Sequence, residues 1–283
     1  MIVITGATGA LNGATTEHLL HTLPAGEIAV VARDVTKARS FAERGVQVRH
    51  GDYALPETLP TAFAGADQLL LVSSSDPTAD GVALHRAAIE AAAAASVGRI
   101  LYTSHQGASP DTPFGPGRDH AATEQLLAQS GLPWTSLRNG FYLHSLNWLL
   151  GPWRTTGVIA TPGEGPVSWT AREDAAEAAA AILLSDGAHQ GPVTLTAEHA
   201  PTFEEIAAIA SEVTGRTIRH EVLDPEDWLK AQVAAGTPEF MARFLLGFYR
   251  AADAGYFAGT DPLLNQLLTA NPKGVRDFLA QAD

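Results

Sequence analysis

Cysteine is missing from the 283-residue sequence. Its absence excludes disulfide bonds, thiolate metal ligands and cysteine nucleophiles. No stretch approaches the ~20 uncharged apolar residues that a membrane-spanning helix needs. The first predicted strand begins at Ile2, which leaves no room for a signal sequence before it. We therefore expect a soluble, cytoplasmic protein with no membrane partner.

Basic residues are also scarce. Lysine and arginine number 18 against 31 aspartate and glutamate residues, which gives a formal net charge of −13. Sequence-independent binding to nucleic acid requires a basic stripe that neutralises phosphates, and no such stripe is visible. The composition argues against a nucleic-acid partner, although an acidic protein can still regulate transcription by binding other proteins.

Up to about residue 140, short β-rich runs alternate with helical patterns. Strands are predicted at 2–4, 28–31, 46–49, 68–72, 99–103 and 134–137. Helices are predicted at about 10–22, 36–44, 57–63, 79–96 and 118–130. This alternation is typical of right-handed β-α-β crossovers and of a parallel sheet covered on both faces. The predicted fold class is therefore α/β, a doubly wound parallel sheet of the Rossmann type.

The pattern changes after residue 150, where glycine and proline crowd into 151–166 and indicate loops. Thr170 and Glu173 match a capping box before an alanine-rich helix. The remaining predicted elements are a helix at 175–184, strands at 193–196 and 217–222, a helix at 203–214 and two helices within 225–250. We predict a dinucleotide-binding domain over 1–150 and a smaller mixed substrate-binding region over 151–283. The chain is expected to cross back near 168–197, and a homodimer is left open.

Residues 5–13 read TGATGALNG and directly follow the first apolar strand. Gly6 permits a sharp exit from the strand, and Gly9 permits close approach of a pyrophosphate to the backbone. The following helix then offers free N–H groups and the positive end of its dipole to that phosphate. Asn12 stands where a third glycine is usual, and Gly13 follows one place late. We predict a dinucleotide-binding loop in which the Asn12 amide assists the phosphate; the alternative is a structural turn.

Five stretches, in order along the chain, carry a resemblance to a known family. They are residues 4–9 (ITGATG), 51–53 (GDY), 69–75 (LLLVSSS), 102–104 (YTS) and 137–142 (LRNGFY). In this set the chain resembles the NmrA-like family of atypical short-chain dehydrogenases/reductases, and within it the type 2 NAD(P)H:quinone oxidoreductases. The resemblance implies an oxidoreductase that passes hydride from NAD(P)H to a small molecule, a quinone or a similar conjugated carbonyl.

The resemblance also implies a set of site residues. Those expected to bind the cofactor are Gly6, Thr8, Gly9, Ala10, Leu11, Asn12, Arg33, Lys37, Asp52, Tyr53, Ser73, Ser74, Ser75, Thr103, Ser104, Asn139, Gly140 and Phe141. Those expected to be catalytic are His120, His105 and Tyr142. Leu143-His144-Ser145 replaces the Glu-Asn that family members commonly carry after the aromatic pair. This departure lies where substrate is expected to bind, so the substrate is the property that the resemblance defines least.

The end of the second strand reads Ala32-Arg33-Asp34, with Lys37 one turn onward. Arginine at this point pairs with the 2′-phosphate of NADP, whereas a carboxylate accepts from the 2′-hydroxyl of NAD. Arg33 and Lys37 predict NADPH, and Asp34 leaves NADH open. In the alternative interpretation, both cations are merely solvated and Asp34 caps a helix.

The Tyr-x-x-x-Lys pair of ordinary short-chain reductases is absent, and His120 lies where relatives carry a lysine or a histidine. A ketone needs its alkoxide protonated, whereas a quinone gives a delocalised anion that needs little help from an acid. The absence favours a quinone-like acceptor. A cofactor-sensing regulator without turnover and a tailoring reductase of a polycyclic natural product remain alternatives.

The other candidate side chains have structural interpretations as well. His105 is expected to face the nicotinamide or to lie on the surface. Asn139, Phe141 and Tyr142 suit a flat ring substrate, with core packing as the rival. No histidine and carboxylate pattern predicts a metal site, and no Gly-x-Ser-x-Gly sequence predicts a hydrolase.

Overall fold

The computed structural model describes residues 1–74, 76 and 78–281. The strands are β1 (Ile2–Thr5), β2 (Ile28–Ala32), β3 (Gln47–His50), β4 (Gln68–Leu71), β5 (Arg99–His105), β6 (Trp134–Asn139), β7 (Phe141–Tyr142), β8 (Val158–Thr161), β9 (Trp169–Thr170), β10 (Gly191–Leu195) and β11 (Arg219–Val222). The helices are α1 (Ala10–Leu20), α2 (Arg39–Ala42), α3 (Leu59–Phe63), α4 (Gly81–Ala94), α5 (Gly115–Gln129), α6 (Leu146–Leu149), α7 (Trp153–Thr156), α8 (Arg172–Leu184), α9 (Phe203–Thr214), α10 (Pro225–Ala234), α11 (Glu239–Asp253), α12 (Leu263–Leu267) and α13 (Val275–Gln281). Short 3-10 turns precede α2, α3 and α6.

Within the described residues, seven strands form one sheet in the order β10-β6-β5-β4-β1-β2-β3. β1 pairs in parallel with β2 on one side and with β4 on the other. β2–β3 and β4–β5 are also parallel. Strand order therefore reverses at β1, and in such sheets ligands bind at the carboxyl ends of the strands on either side of that reversal. The predicted doubly wound α/β fold is confirmed.

The chain divides into two compact units whose segments alternate along the sequence. Unit 1 comprises 1–104, 119–138 and 172–193, and unit 2 comprises 105–118, 139–171 and 194–283. Residue 150, the predicted boundary, lies inside unit 2, and the return segment in unit 1 runs over 172–193. The division into a cofactor domain and a substrate region by function stays a prediction.

The core of unit 1 is built from strands that are buried on both faces. β1 and β2 have no exposed residue, because helices cover both sides of a parallel sheet. Helix α8 is rich in buried alanine and packs closely against α1. Small side chains at the contact allow the two helices to approach each other closely.

Unit 2 has an aromatic core. Phe141, Trp169, Phe248 and Phe257 pack ring against ring, with the Phe141 and Phe248 centroids 4.5 Å apart. Two short parallel pairs, β7–β9 and β8–β11, complete the unit. In the part of the chain that the structure describes, no helix combines the length and the apolarity needed to cross a membrane.

The predicted capping box at Thr170 and Glu173 is wrong. Thr170 lies in β9 and its hydroxyl donates to the Leu195 carbonyl at 3.4 Å, while α8 begins only at Arg172. A complete capping box occurs instead at α9, where Thr202 and Glu205 bond reciprocally. The Thr-x-x-Glu pattern is present at both places. At the first, Thr170 is paired in a strand and therefore does not cap the helix that follows.

Candidate functional site

The loop between β1 and α1 is held in one conformation by Gly6. Its φ of +67° lies in the left-handed region, and a Cβ there would lie 2.7 Å from Val72 Cγ1. The Gly9 N–H donates to the Gly6 carbonyl at 2.9 Å and closes the turn. A Cβ at Gly9 would meet only the Gly6 carbonyl oxygen, at 3.3 Å. The protein itself therefore leaves space beside Gly9, at the N-terminus of α1.

Asn12 does not have the predicted role. It is completely buried, and its Nδ2 donates to the Thr5 carbonyl at 2.8 Å, which ties α1 to the end of β1. A buried amide used in this way cannot turn to a phosphate outside the loop. The close helix contact usually made by a third glycine falls to Gly13, where a Cβ would lie 2.8 Å from the Ala7 carbonyl.

A cavity of about 590 Å³ lies at the carboxyl ends of β1, β2, β3 and β4. This volume is within the ~300–1,000 Å³ range typical of ligand sites. Its lining includes Thr5, Gly6, Thr8, Gly9, Ala32, Arg33, Asp52, Tyr53, Ser73, Ser74 and Asp76. Ala10 and Leu11 open α1 directly behind this lining. Ser75, which was also predicted to bind cofactor, is outside the described residues.

The end of β2 presents Arg33 to the cavity but not Asp34 or Lys37. Asp34 Oδ1 accepts from the Thr36 N–H at 3.0 Å and from the Thr36 hydroxyl at 2.6 Å, and these bonds lower the pKa of Asp34. Asp34 is therefore the cap of the following turn. Lys37 is exposed on that turn and does not line the cavity. Of the two cations from which NADPH was predicted, Arg33 lines the cavity and Lys37 does not.

Tyr53 supports the wall beside β1. Its hydroxyl donates to the Val72 carbonyl at 3.1 Å and lies 2.6 Å from Thr5 Oγ1. Burial raises the pKa of Tyr53 far above its usual value, so the phenol is neutral. Asp52 Oδ1 accepts from the Ala54 N–H at 3.0 Å and keeps the turn after β3 closed. Both side chains line the cavity while holding its backbone in place.

Thr103 and Ser104 are neighbours in β5, and their side chains bond to different parts of the protein. Thr103 Oγ1 accepts from the Ser73 N–H at 2.8 Å and thereby supports the cavity wall. Ser104 is buried, and its hydroxyl donates to Glu124 on α5 at 2.8 Å. The Ser104 hydroxyl therefore faces α5 and not the cavity, because alternate residues of a strand point to opposite faces, and its contact with cofactor stays a prediction.

His120 on α5 forms a hydrogen bond with a buried tyrosine. Its Nδ1 lies 2.9 Å from the hydroxyl of Tyr102, which is itself 3.5 Å from Nδ1 of His85 on α4. Burial raises the pKa of Tyr102 well above its usual value. His85 was not singled out from sequence, where it is one histidine among alanines. The structure places its Nε2 2.7 Å from the Ser74 backbone nitrogen, at the cavity wall.

The remaining predicted residues lie in unit 2. His105 is enclosed by the rings of Phe114, Phe141 and Phe257, with centroids 5.2–5.9 Å away, and burial lowers its pKa to about 4. The alternative of a surface histidine is wrong. Phe141 belongs to the same aromatic core. Its ring is therefore packed inside unit 2, which is the alternative to the predicted stacking on a substrate.

Asn139, Gly140 and Tyr142 also have structural partners. Asn139 is buried, and its Nδ2 donates to the half-buried hydroxyl of Tyr142 at 3.2 Å. The Gly140 N–H donates to the Leu195 carbonyl at 2.9 Å, and a Cβ there would lie 2.3 Å from Thr170 Oγ1. Gly140 is therefore a packing glycine. Among the described residues, no group of three or more histidine, aspartate or glutamate side chains could hold a metal ion.

Comparison with known proteins agrees with this architecture. The model of the NmrA-like family matches residues 1–273. The chain is 36% identical to quinone oxidoreductase 2 of Escherichia coli strain K12 over 272 residues, which cover 95% of this chain and 93% of that protein.

Two solved structures are similar over almost their whole length. An NADPH-dependent quinone oxidoreductase from Escherichia coli, complexed with NADPH, matches with a TM-score of 0.91 and 32% identity, covering 99% of this chain and 98% of that one. A triphenylmethane reductase of Citrobacter sp., complexed with NADP(H), matches with a TM-score of 0.86 and 33% identity over all of both chains.

Proposed function

The chain belongs to the NmrA-like family, and from this membership and the strand-end cavity we propose that it is an NADPH-dependent oxidoreductase. Its proposed acceptor is a quinone or a similar conjugated carbonyl, a small molecule reduced by hydride transfer. Relatives named as a quinone oxidoreductase and a triphenylmethane reductase support this acceptor class, because both names denote extended conjugated molecules.

One observation carries the proposal: the cavity at the reversal of strand order has the parts that a dinucleotide needs. Its volume is adequate, the Gly6–Gly9 turn leaves space for close approach, and α1 begins at that turn. The first N–H groups of a helix have no partner within the helix and favour an anion. These features fit the pyrophosphate of NADPH, whose nicotinamide supplies the hydride when the cofactor is bound.

Within this site we assign Arg33 to the 2′-phosphate. Among the described residues that line the cavity it is the one cation, and Asp34, the competing carboxylate, is occupied as the cap of the following turn. Tyr53 and Asp52 form the adenosine side, and Ser73 and Ser74 form the wall that leads from the pyrophosphate toward the ribose. This arrangement favours NADPH over NADH.

The three residues predicted to be catalytic differ in what each can do with a proton. His120 hydrogen-bonds the neutral phenol of Tyr102 and serves as a weak donor rather than as half of a tyrosine–lysine pair. His105 is neutral at physiological pH because burial lowers its pKa to about 4, so it cannot supply a proton as imidazolium. Tyr142 remains a candidate for contact with substrate. Weak donors suffice for a quinone, whose reduced anion is delocalised.

We also propose a cellular location and an oligomeric state for the protein. The lack of cysteine is in keeping with the cytoplasm. The homodimer stays a prediction that light scattering can test.

The test is NADPH oxidation by the purified protein against a matched panel of quinones, conjugated enones and simple ketones. We expect turnover with the quinones first, weaker turnover with enones and none with ketones. Tight NADPH binding without oxidation by any acceptor would contradict the enzyme and support a cofactor-sensing regulator. Preference for ketones would contradict the quinone assignment alone.

A further inference from the structure

His85 is a buried histidine for which the proposed chemistry has no use. It lies on α4 with 2% of its surface exposed, and both ring nitrogens have close polar neighbours. Nε2 lies 2.7 Å from the Ser74 backbone nitrogen, and Nδ1 lies 2.9 Å from Thr123 Oγ1 on α5. His85 therefore connects the wall of the cavity to α5.

The backbone N–H of Ser74 fixes the tautomer of His85. A backbone N–H can only donate, so Nε2 must accept and the proton of the neutral ring must be on Nδ1. The Thr123 hydroxyl donates its one hydrogen to the Asp119 carbonyl at 2.8 Å, which leaves its oxygen to accept from Nδ1–H. Burial lowers the pKa of His85 to about 4, which keeps the ring neutral at physiological pH.

The segment held by His85 is part of the cavity lining. Ser73 and Ser74 both line the cavity, and both backbone N–H groups are bonded to side chains of neighbouring elements. Ser73 is held by Thr103 of β5, and Ser74 is held by His85 of α4. Without His85, the Ser74 N–H would lose this acceptor, and the wall would depend on the bond of the Ser73 N–H to Thr103 and on the bonds that hold Val72.

We propose that His85 is a positioning residue for the cofactor. As the Nδ1–H tautomer that the Ser74 N–H requires, and with its Nδ1–H bonded to Thr123, it holds Ser74 where the wall of the cavity accepts NADPH. The inference rests on the proposed NADPH site. It adds Thr123, one hydrogen bond further from the cavity, as the group that accepts from Nδ1–H and orients the ring.

The test compares matched variants by NADPH titration of the protein without acceptor. His85→Phe keeps the ring volume but removes the acceptor, and we expect an NADPH dissociation constant about tenfold higher. His85→Gln places an amide oxygen near the position of Nε2 and should restore affinity to within about threefold. Thr123→Val should weaken binding and Thr123→Ser should not. His85→Phe combined with Thr123→Val should bind no more weakly than His85→Phe alone, because the two act through one bond.

Further readouts distinguish positioning from general stability. KM for NADPH should rise in His85→Phe with kcat nearly unchanged, and His21→Gln, an exposed histidine on the surface, should match the wild type. Nitrogen NMR of the unliganded wild-type protein should show the proton on Nδ1 of His85, and this holds even if a variant fails to fold. A proton on Nε2, or His85→Phe with a lower melting temperature but unchanged affinity, would overturn the inference. Failure of the wild-type protein to bind NADPH would instead overturn the proposed function.

Discussion

Arg33 is the residue on which the choice of nicotinamide depends. A charge-assisted contact with the 2′-phosphate is lost in Arg33→Ala, so NADPH binding should weaken by about 1.5–3 kcal/mol, while NADH binding changes little. Lys37→Ala is the matched control, because Lys37 is an exposed cation on the next turn that does not line the cavity. Titration of both cofactors measures the difference, and equal losses for NADPH and NADH would refute the phosphate assignment.

His120 is expected to assist rather than to be essential. Its hydrogen bond to Tyr102 would be lost in His120→Ala, and we expect turnover to fall by about tenfold at most, well below the ~10²–10⁴ of an essential general acid. Steady-state rates with a quinone test this expectation, with NADPH affinity measured in parallel. Complete loss of turnover with affinity preserved would point to a carbonyl substrate that needs protonation.

Single residues also show the limit of reasoning from sequence. The placement of Gly6, Gly9 and Arg33 along one cavity was predictable, because a glycine turn behind a buried strand and a cation at the next strand end are local features of a dinucleotide site. The burial of the Ser104 and Phe141 side chains was not, because a motif gives position along a strand but not which face is covered. His85 gave no signal, since its role depends on a backbone N–H eleven residues away in the chain.

At the scale of secondary structure, α5 organises the ends of two strands. Glu124 is buried and accepts from Ser104 of β5, from Ser136 of β6 at 2.6 Å, and from Arg138 Nε at 3.0 Å. Tyr102 and Ser104 lie two residues apart on β5 and both contact α5, as the strand period requires. One carboxylate thus aligns both strands.

Glu124→Gln should therefore be costly. The glutamine amide keeps the shape of the side chain but removes the negative charge opposite Arg138. Its NH₂ group would also face donors that now bond to a carboxylate oxygen. We therefore expect the free energy of unfolding to fall by about 2–4 kcal/mol. Glu43→Gln is the control, because its pair with Arg39 is exposed and should change stability by less than ~1 kcal/mol. Urea unfolding compares the two. Equal losses of unfolding free energy in the two variants would show that the buried Glu124–Arg138 pair stabilises the protein no more than the exposed pair does.

The same scale shows which elements sequence can predict. The six N-terminal strands were found because buried apolar runs alternate with helical patterns over regular lengths. β7 and β9, with two residues each, have no periodicity of their own and exist because they pair with each other. Tertiary contact, rather than propensity, decides such elements.

For the molecule as a whole, stability should depend on pH through His85. Its pKa is about 4 in the folded protein and near 6.5 when unfolded, so it contributes stability above pH 6.5 that is lost as the pH falls toward 4. Asp80 at the start of α4 opposes this shift, and the hydroxyls of Thr123 and Tyr102 lie 2.9 and 3.5 Å from Nδ1 of His85. A shift of this size corresponds to about 3 kcal/mol.

Urea unfolding at pH 7, 6 and 5 measures this dependence. The free energy of unfolding of the wild-type protein should fall with pH, and that of His85→Gln should fall less steeply, whatever its value at pH 7. His21→Gln should keep the wild-type slope. Identical slopes in the wild-type protein and His85→Gln would show that His85 does not titrate differently on folding.

The central claim is that NADPH binds at the Gly6–Gly9 turn, and Gly9→Val tests it most directly. A Cβ there meets only the Gly6 carbonyl oxygen, at 3.3 Å, so we expect the fold to persist, whereas the branched side chain would occupy the approach of the pyrophosphate. Gly26→Val is the control, because nothing lies within 4 Å of its Cβ position. NADPH titration should give wild-type affinity for Gly26→Val and at least tenfold weaker binding for Gly9→Val at an unchanged unfolding midpoint, a loss of ~1.4 kcal/mol or more. Wild-type affinity in Gly9→Val would contradict the claim.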